Sequence, residues 1–189
     1  IEYPFAAQKK DESKKILSII GRLSGPKGEV AYKLLEILSD MKNLEIRLIG
    51  GKDIPEKFQK FFKNKNIKFM GYVNDVPEKI KESDIIVGAG RVAGGGILSG
   101  KPVIAIGEAK YIGLITNNNL SDALASNFGD IEFSNSENFN WNLLKNDVES
   151  AFTLTEKELF SLRENVEKEF DLNIITDKIE KIYARLYVL

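Results

Sequence analysis

One short segment of the 189-residue chain most constrains its fold. Residues 84–90 read Asp-Ile-Ile-Val-Gly-Ala-Gly, so a short apolar strand runs directly into a glycine-rich turn that opens a helix. Backbone N–H groups point outward at such a junction, and the start of a helix carries partial positive charge. The segment therefore predicts a βα unit whose turn accepts a phosphate. Its candidate binding residues are Gly88, Gly90 and Arg91.

A second turn with phosphate-binding chemistry lies near the start of the chain, at Gly21-Arg22-Leu-Ser-Gly-Pro-Lys27-Gly28. The guanidinium group of Arg22 suits a forked contact with an anionic oxygen, and Lys27 adds a point charge beside it. The alternative is a solvent-exposed loop whose charges only keep the protein soluble. Two such turns in one parallel sheet predict a diphosphate held between them, with Gly21, Arg22 and Lys27 as binding residues.

The arrangement of apolar runs predicts the fold class. The runs are nearly continuous rather than alternating, as expected when helices cover both faces of a parallel sheet. Helical patterns separate them, which predicts an α/β fold with a doubly wound, Rossmann-like parallel sheet and a C-terminal helical extension. The predicted strands are 16–21, 44–51, 67–73, 84–88, 102–107 and, more weakly, 112–116. The predicted helices are 30–41, 58–62, one starting at Asp75, 141–152, 155–170 and 174–187, with a polar loop at 134–140.

The domain organisation follows from the same pattern. Residues 1–14 precede the first strand and read as a linker from a missing N-terminal domain, or as a processed start. Residues 15–153 form the predicted α/β domain, and residues 154–189 form the C-terminal helices. A capping box, Thr155 with Glu158, predicts the start of the first of these helices.

Composition removes several classes of function. The chain has no cysteine and no histidine, which excludes disulfides, thiolate metal sites and the commonest general base. The net charge of −1 gives no overall attraction to nucleic acid. No signal peptide and no membrane-spanning apolar run is found. We expect a cytoplasmic protein, or one peripheral to the inner face of the membrane, without a metal site. No carboxylate pair stands out as acid and base, so no catalytic residue is predicted.

Several other patterns admit competing interpretations. Residues 88–93 fit the dinucleotide pattern G-x-G-x-x-A, with Glu108 as a ribose-binding acid, which would indicate an NAD(P)-binding domain. Against this, the unit is the fourth in the sheet, the spacing to Glu108 is short, and three glycines at 94–96 weaken the helix. Lysines interleaved with phenylalanines over 57–68 indicate an amphipathic helix more simply than a nucleic-acid or membrane surface. Acids near Asn127 would either orient a sugar or be ordinary surface carboxylates: Asp122, Asp130 and Glu132.

The order of these pieces resembles the C-terminal, nucleotide-sugar-binding half of GT-B glycosyltransferases, closest to family 4 ("group 1"). The resemblance covers roughly residues 15–117. It lies in Ile19-Ile-Gly-Arg-Leu with Lys27-Gly28, Leu48-Ile-Gly-Gly51, Ile67-Lys-Phe-Met-Gly-Tyr-Val73, Ser83-Asp-Ile-Ile-Val87 and Ser99-Gly-Lys-Pro-Val-Ile-Ala105.

This resemblance implies the function and the roles of further residues. It implies metal-independent transfer from a UDP- or GDP-sugar without a cofactor, with the acceptor site in the N-terminal domain of the full-length protein. Gly50 would line the pocket near the nucleotide, and the main chain of Tyr72 and Val73 would meet the base. The family's ribose-binding glutamate falls at Gly95, and its earlier partner glutamate is also absent. Glu108 or Asn127 would have to replace it, or the chain is a degenerate, non-catalytic module.

Overall fold

The computed structural model describes residues 14–131 and 139–186 and contains one six-stranded sheet with helices on both faces. This confirms the predicted α/β class. The strands are β1 Lys15–Ile20, β2 Leu44–Ile49, β3 Ile67–Gly71, β4 Ile85–Gly88, β5 Val103–Ile106 and β6 Tyr111–Leu114. The helices are α1 Gly25–Leu38, α2 Val76–Lys81, α3 Gly90–Leu98, α4 Leu120–Ala125, α5 Leu144–Ala151, α6 Glu156–Phe170 and α7 Leu172–Leu186, with short 3-10 helices at Glu56–Phe61 and Trp141–Leu143.

The order of the strands defines a crevice at one edge of the sheet. The order is β3-β2-β1-β4-β5-β6, so the chain builds outward from β1 in one direction and then resumes at β4 in the other. β1 and β4 are neighbours and run parallel, with Leu17 opposite Ile85 and Ile19 opposite Val87. Ligands of open α/β sheets bind beyond the carboxyl ends of strands where the order reverses in this way. The two glycine-rich turns predicted from the sequence follow these two strands.

The sixth strand is the one exception to the parallel arrangement. β6 runs antiparallel to β5, with Ile104 opposite Leu114. Only residues 107–110 connect the two strands. A parallel return needs a crossover of a dozen or more residues, so a connection this short permits only a hairpin.

Two apolar layers hold the helices on the sheet. On one face the core includes Leu34 and Leu35 of α1 with Leu144 and Val148 of α5. On the other face it includes Ile97 of α3, together with residues of α2, α4 and α6. The apolar stripe predicted for the first helix is therefore buried. The helix α6 belongs to the second layer, because its Leu159, Leu162 and Val166 are buried.

Local sequence patterns predicted some helix boundaries correctly and others wrongly. The Asp75 side chain accepts a hydrogen bond from Glu78 N at 2.9 Å, and the capping box of Thr155 with Glu158 is formed, as predicted. The segment predicted as a helix over 58–62 is instead a 3-10 helix, and α4 was not predicted at all. Most of the predicted 134–140 loop, and Tyr187 at the end of the last predicted helix, lie outside the described residues.

The lysine- and phenylalanine-rich segment packs as an amphipathic element. Phe58 and Phe61 are buried, whereas Lys60 lies over the ring of Tyr32, 4.4 Å from its centroid, and pairs with Glu36 at 2.8 Å. Lys60 is thus partly neutralised by an acid of α1, which agrees with the simpler interpretation.

The glycines of α3 respond differently to an added methyl group, which gives a matched test of the packing. At Gly94 a Cβ would contact only Phe128 Cε2, at 3.9 Å. At Gly96 it would lie 2.7 Å from Val103 Cγ2 and 3.3 Å from Ile86 Cβ. We expect Gly94→Ala to raise the free energy of unfolding by about 0.5–1 kcal/mol, because alanine favours helix. Gly96→Ala should lower it by about 1–3 kcal/mol through overpacking. Urea unfolding measures both, and equal effects would contradict the close approach of α3 to the sheet.

The buried phenol of Tyr111 predicts a loss of stability at alkaline pH. Its hydroxyl donates to Asp147 Oδ2 at 2.5 Å, and burial together with this carboxylate raises the pKa of Tyr111 well above its usual value of 10. The neutral phenol therefore stabilises the fold fully below about pH 10, and this contribution is lost as the pH rises further. Urea unfolding between about pH 8 and pH 11 should show a steeper loss for the wild type than for Tyr111→Phe, by up to ~1.4 kcal/mol per pH unit. Parallel pH curves would contradict this.

The last helix presents an apolar stripe to solvent. None of the described α7 residues is buried, and Leu172, Ile179, Ile182 and Leu186 recur at spacings of three, four and seven residues. Leu172 is 75% exposed and Leu186 is 63% exposed. A helix with this pattern buries its apolar side against another surface.

Candidate functional site

A cavity of about 460 Å³ lies at the carboxyl ends of β1 and β4. The first turns of α1 and α3 also contribute to its walls. It therefore lies at the crevice that the strand order creates. Six of the ten sequence-predicted binding residues line this one cavity: Gly21, Arg22, Lys27, Gly88, Gly90 and Arg91.

Three cationic side chains line the cavity, and they differ in what they contact. Arg22 and Arg91 are exposed and have no hydrogen bond or ion pair within residues 14–131 and 139–186. Lys27 is half-buried, and its Nζ lies 2.6 Å from Asp130 Oδ2. Arg22 and Arg91 are thus available to an anion, whereas Lys27 already has a carboxylate partner.

The backbone at the start of α3 differs from the sequence-based expectation. Gly90 N donates a hydrogen bond to Asn127 O at 3.1 Å, so this amide is not free for a phosphate. A Cβ at Gly90 would lie 3.3 Å from both Asn127 Nδ2 and Asp130 Oδ2. The glycine therefore allows residues 127–130 to approach the helix. The amide of Arg91, at the second position of α3, lacks an i−4 partner as helix N-termini do.

The turn at residues 127–130 contributes a third wall of the cavity. The sequence named Asn127 and Asp130 but did not place them beside the two glycine-rich turns. Asn127 and Phe128 adopt left-handed backbone conformations, with φ of 48° and 57°, which non-glycine residues rarely do. Phe128 is nevertheless buried in the core, which holds the turn in place. Asn127 and Asp130 consequently line the cavity. Backbone strain of this kind persists where surrounding structure enforces it, and it clusters at functional sites.

Four sequence-predicted binding residues are not among those lining the cavity. A Cβ on Gly50 would lie 2.0 Å from Gly21 O, so Gly50 serves the packing of the first turn. Tyr72 is 70% exposed and Val73 packs against the core, both beyond β3. Gly95 is buried within α3. Tyr72 and Val73 follow β3, which is two strands away from β1 in the sheet. Because neighbouring strands lie about 4.8 Å apart, these two residues are roughly 10 Å from the turn that carries Arg22.

The remaining acids named from the sequence lie elsewhere. Glu108 lines a separate groove of about 600 Å³ together with Phe139 and Trp141, whose rings stack at 5.4 Å. Glu108 is therefore not among the residues that line the cavity with residues 88–92, as the dinucleotide interpretation required. Asp122 lies in the first turn of α4, and Glu132 lies outside the described residues. Within 14–131 and 139–186, no helix is long and apolar enough to cross a membrane.

Comparison with known proteins places this geometry in a fold family. No family model and no curated protein sequence matches the chain. Among solved structures, a variant of TarM from S. aureus in complex with UDP and other ligands superposes with a TM-score of 0.66 at 18% identity, over 97% of this chain and 38% of TarM. HepE from Anabaena in complex with UDP-glucose gives 0.59 at 19% identity, over 90% of this chain and 48% of HepE.

A third solved structure identifies which part of such proteins the chain corresponds to. The isolated C-terminal domain of LpcC, a group 1 family glycosyl transferase from Francisella tularensis, superposes with a TM-score of 0.55 at 15% identity. The match covers 90% of this chain and 97% of that domain. The chain has the fold of a GT-B C-terminal domain. The chain spans about half the length of HepE, which agrees with the resemblance noted in the sequence.

Proposed function

We propose that this GT-B domain binds the nucleotide-sugar donor of a glycosyltransferase, with UDP or GDP as the nucleotide. The observation that carries the proposal is the convergence of Arg22, Lys27 and Arg91 on one cavity at the reversal of strand order. The pyrophosphate would lie between the turns after β1 and β4. The HepE and TarM structures contain UDP or UDP-glucose, which supports this class of ligand.

The proposed contribution to catalysis is electrostatic. Breaking the sugar–phosphate bond develops negative charge on the departing diphosphate, and fixed cations that meet this charge lower the barrier. Arg22 and Arg91 would contact the phosphate oxygens, and the amide of Arg91 at the start of α3 would add a further donor. The resemblance offers Tyr72 and Val73 as neighbours of the base, beyond β3. No residue of this domain is proposed as a general base.

The complete enzyme would need a second domain. The GT-B domain matches about half of HepE, and α7 carries an apolar stripe without a partner among the described residues. We therefore include in the proposal an N-terminal acceptor-binding domain against which α7 packs. The isolated GT-B domain is expected to bind the donor without transferring the sugar. The cytoplasmic location expected from the sequence is retained as part of this proposal.

Calorimetric titration separates this proposal from its alternatives. The GT-B domain should bind UDP or GDP and should not bind NADH. Preferred binding of NADH would support the dinucleotide-binding alternative, although Glu108 lies in a different groove. Binding of none of the three would support the degenerate, non-catalytic module that the missing glutamate at Gly95 suggests.

A further inference from the structure

A carboxylate lies inside the cavity that is proposed to bind an anion. Asp130 is the one acid among the described residues that line it. Its Oδ2 lies 2.6 Å from Lys27 Nζ and would lie 3.3 Å from a Cβ at Gly90. The carboxylate is thus next to a cation and a helix start, which are the two features that a phosphate would use.

Among the described residues, this carboxylate forms an ion pair with Lys27 alone. The other oxygen, Asp130 Oδ1, is buried and has no hydrogen-bond partner in residues 14–131 and 139–186. A typical buried polar atom is hydrogen-bonded, so an orphaned carboxylate oxygen needs an explanation. The strained turn at Asn127 and Phe128 holds Asp130 in this position, and Phe128 anchors that turn in the core.

The formal charge of the residues that line the cavity can be compared with the charge of the nucleotide-sugar and with that of the free nucleoside diphosphate. The charged residues that line the cavity are three cations, Arg22, Lys27 and Arg91, and one anion, Asp130, which together give a formal charge of +2. A sugar ester of a nucleoside diphosphate carries two negative charges. The free diphosphate ends in a phosphate monoester group, which gains a further negative charge near neutral pH because its second pKa is about 6. The positive charge of the site therefore equals the negative charge of the nucleotide-sugar donor. It is one unit smaller than the negative charge of the nucleoside diphosphate product.

We propose that Asp130 is a specificity-determining residue that matches the charge of the site to the nucleotide-sugar and weakens its hold on the released nucleoside diphosphate. This inference rests on the proposed function. It gives the carboxylate a role in product release, since like charges at short range repel where solvent screening is incomplete.

The test compares the affinities of two ligands in one variant. Calorimetry with UDP and with UDP-glucose gives the ratio of the two Kd values for the wild type, for Asp130→Asn and for the control Asp122→Asn on α4. We expect Asp130→Asn to shift this ratio in favour of UDP by roughly tenfold, the scale of one charge interaction near a surface. The Asp122→Asn ratio should stay at the wild-type value. Added salt should shrink the shift, because salt screens charges.

The ratio separates charge tuning from a structural role. If Asp130 only orients Lys27, its loss weakens the binding of both ligands, and that of the more highly charged UDP at least as much as that of UDP-glucose. A ratio that is unchanged, or that shifts in favour of UDP-glucose, therefore overturns the proposal. If the wild type binds neither ligand, the proposed function fails. Binding of UDP gained by Asp130→Asn would then still support Asp130 as a residue that excludes the more highly charged anion. If neither the wild type nor Asp130→Asn binds UDP or UDP-glucose, the proposed function and the inference about Asp130 are both overturned.

Discussion

Arg22→Ala is expected to weaken the binding of UDP by roughly tenfold to a hundredfold. Arg22 lines the cavity, is exposed and has no partner among the described residues, so its guanidinium group is free to meet the phosphate. Hydrogen bonds to charged groups contribute about 1.5–3 kcal/mol each, which corresponds to this change in Kd. Because the side chain is exposed and makes no hydrogen bond or ion pair within the described residues, the loss should appear in binding and not in folding stability. Calorimetry for Kd and urea unfolding for stability measure the two effects.

A matched control separates local from general electrostatics. Arg185→Ala removes the same charge from the last turn of α7, outside the cavity. Its affinity for UDP should stay within about twofold of the wild type, since long-range interactions between exposed charges are screened at physiological salt. Equal losses of UDP affinity in Arg22→Ala and Arg185→Ala would mean that UDP binding depends only on the net charge of the protein. No loss in Arg22→Ala would remove the main cation from the proposed site.

Gly50→Ala is expected to lower the free energy of unfolding by about 3 kcal/mol or more. A methyl group there would lie 2.0 Å from Gly21 O, and the residue has a φ of 127°, a conformation that side chains disfavour. Gly21 N donates to Ile49 O at 3.0 Å and Gly50 N donates to Gly71 O at 2.8 Å, so the strand ends are closely tied. The clash must displace the turn that carries Arg22. Such a loss is a large fraction of the stability of a typical domain.

Gly21→Ala is the control for this prediction, because an added Cβ at Gly21 meets no atom within 4 Å. Its effect on stability should stay below about 1 kcal/mol. Urea unfolding of both variants decides the role of Gly50. A Gly50→Ala variant as stable as Gly21→Ala would show that the turn relaxes freely, and would return Gly50 to the nucleotide-contact role suggested by the resemblance.

Local patterns predicted the elements of this fold well. The strand predicted at 84–88 is Ile85–Gly88, and the one predicted at 16–21 is Lys15–Ile20. Apolar runs mark buried parallel strands, and the side chains of Asp75 and Thr155 cap the helices that follow them. Because parallel strands carry their turns to one edge, the sequence also brought Arg22 and Gly88 into one predicted site.

Features that depend on distant contacts were not predictable in the same way. Lys27 and Asp130 are 103 residues apart, and their pairing depends on the left-handed turn at Asn127 and Phe128. Asparagine tolerates the left-handed conformation, but phenylalanine does not favour it, and at Phe128 it accompanies burial of the side chain in the core. The hydrogen bond from Gly90 N to Asn127 O likewise requires the completed fold. The sequence therefore indicated the cations of the site and named Asp130 as an acid near a sugar, but it did not predict that Asp130 pairs with Lys27 among those cations.

A crystal structure of the protein with UDP tests the central claim most directly. The account predicts that the diphosphate lies in the cavity between β1 and β4, contacts the Arg22 side chain and accepts a hydrogen bond from the amide of Arg91. UDP bound instead in the groove beside Glu108 and Trp141, with the cavity between β1 and β4 free of ligand, would contradict it.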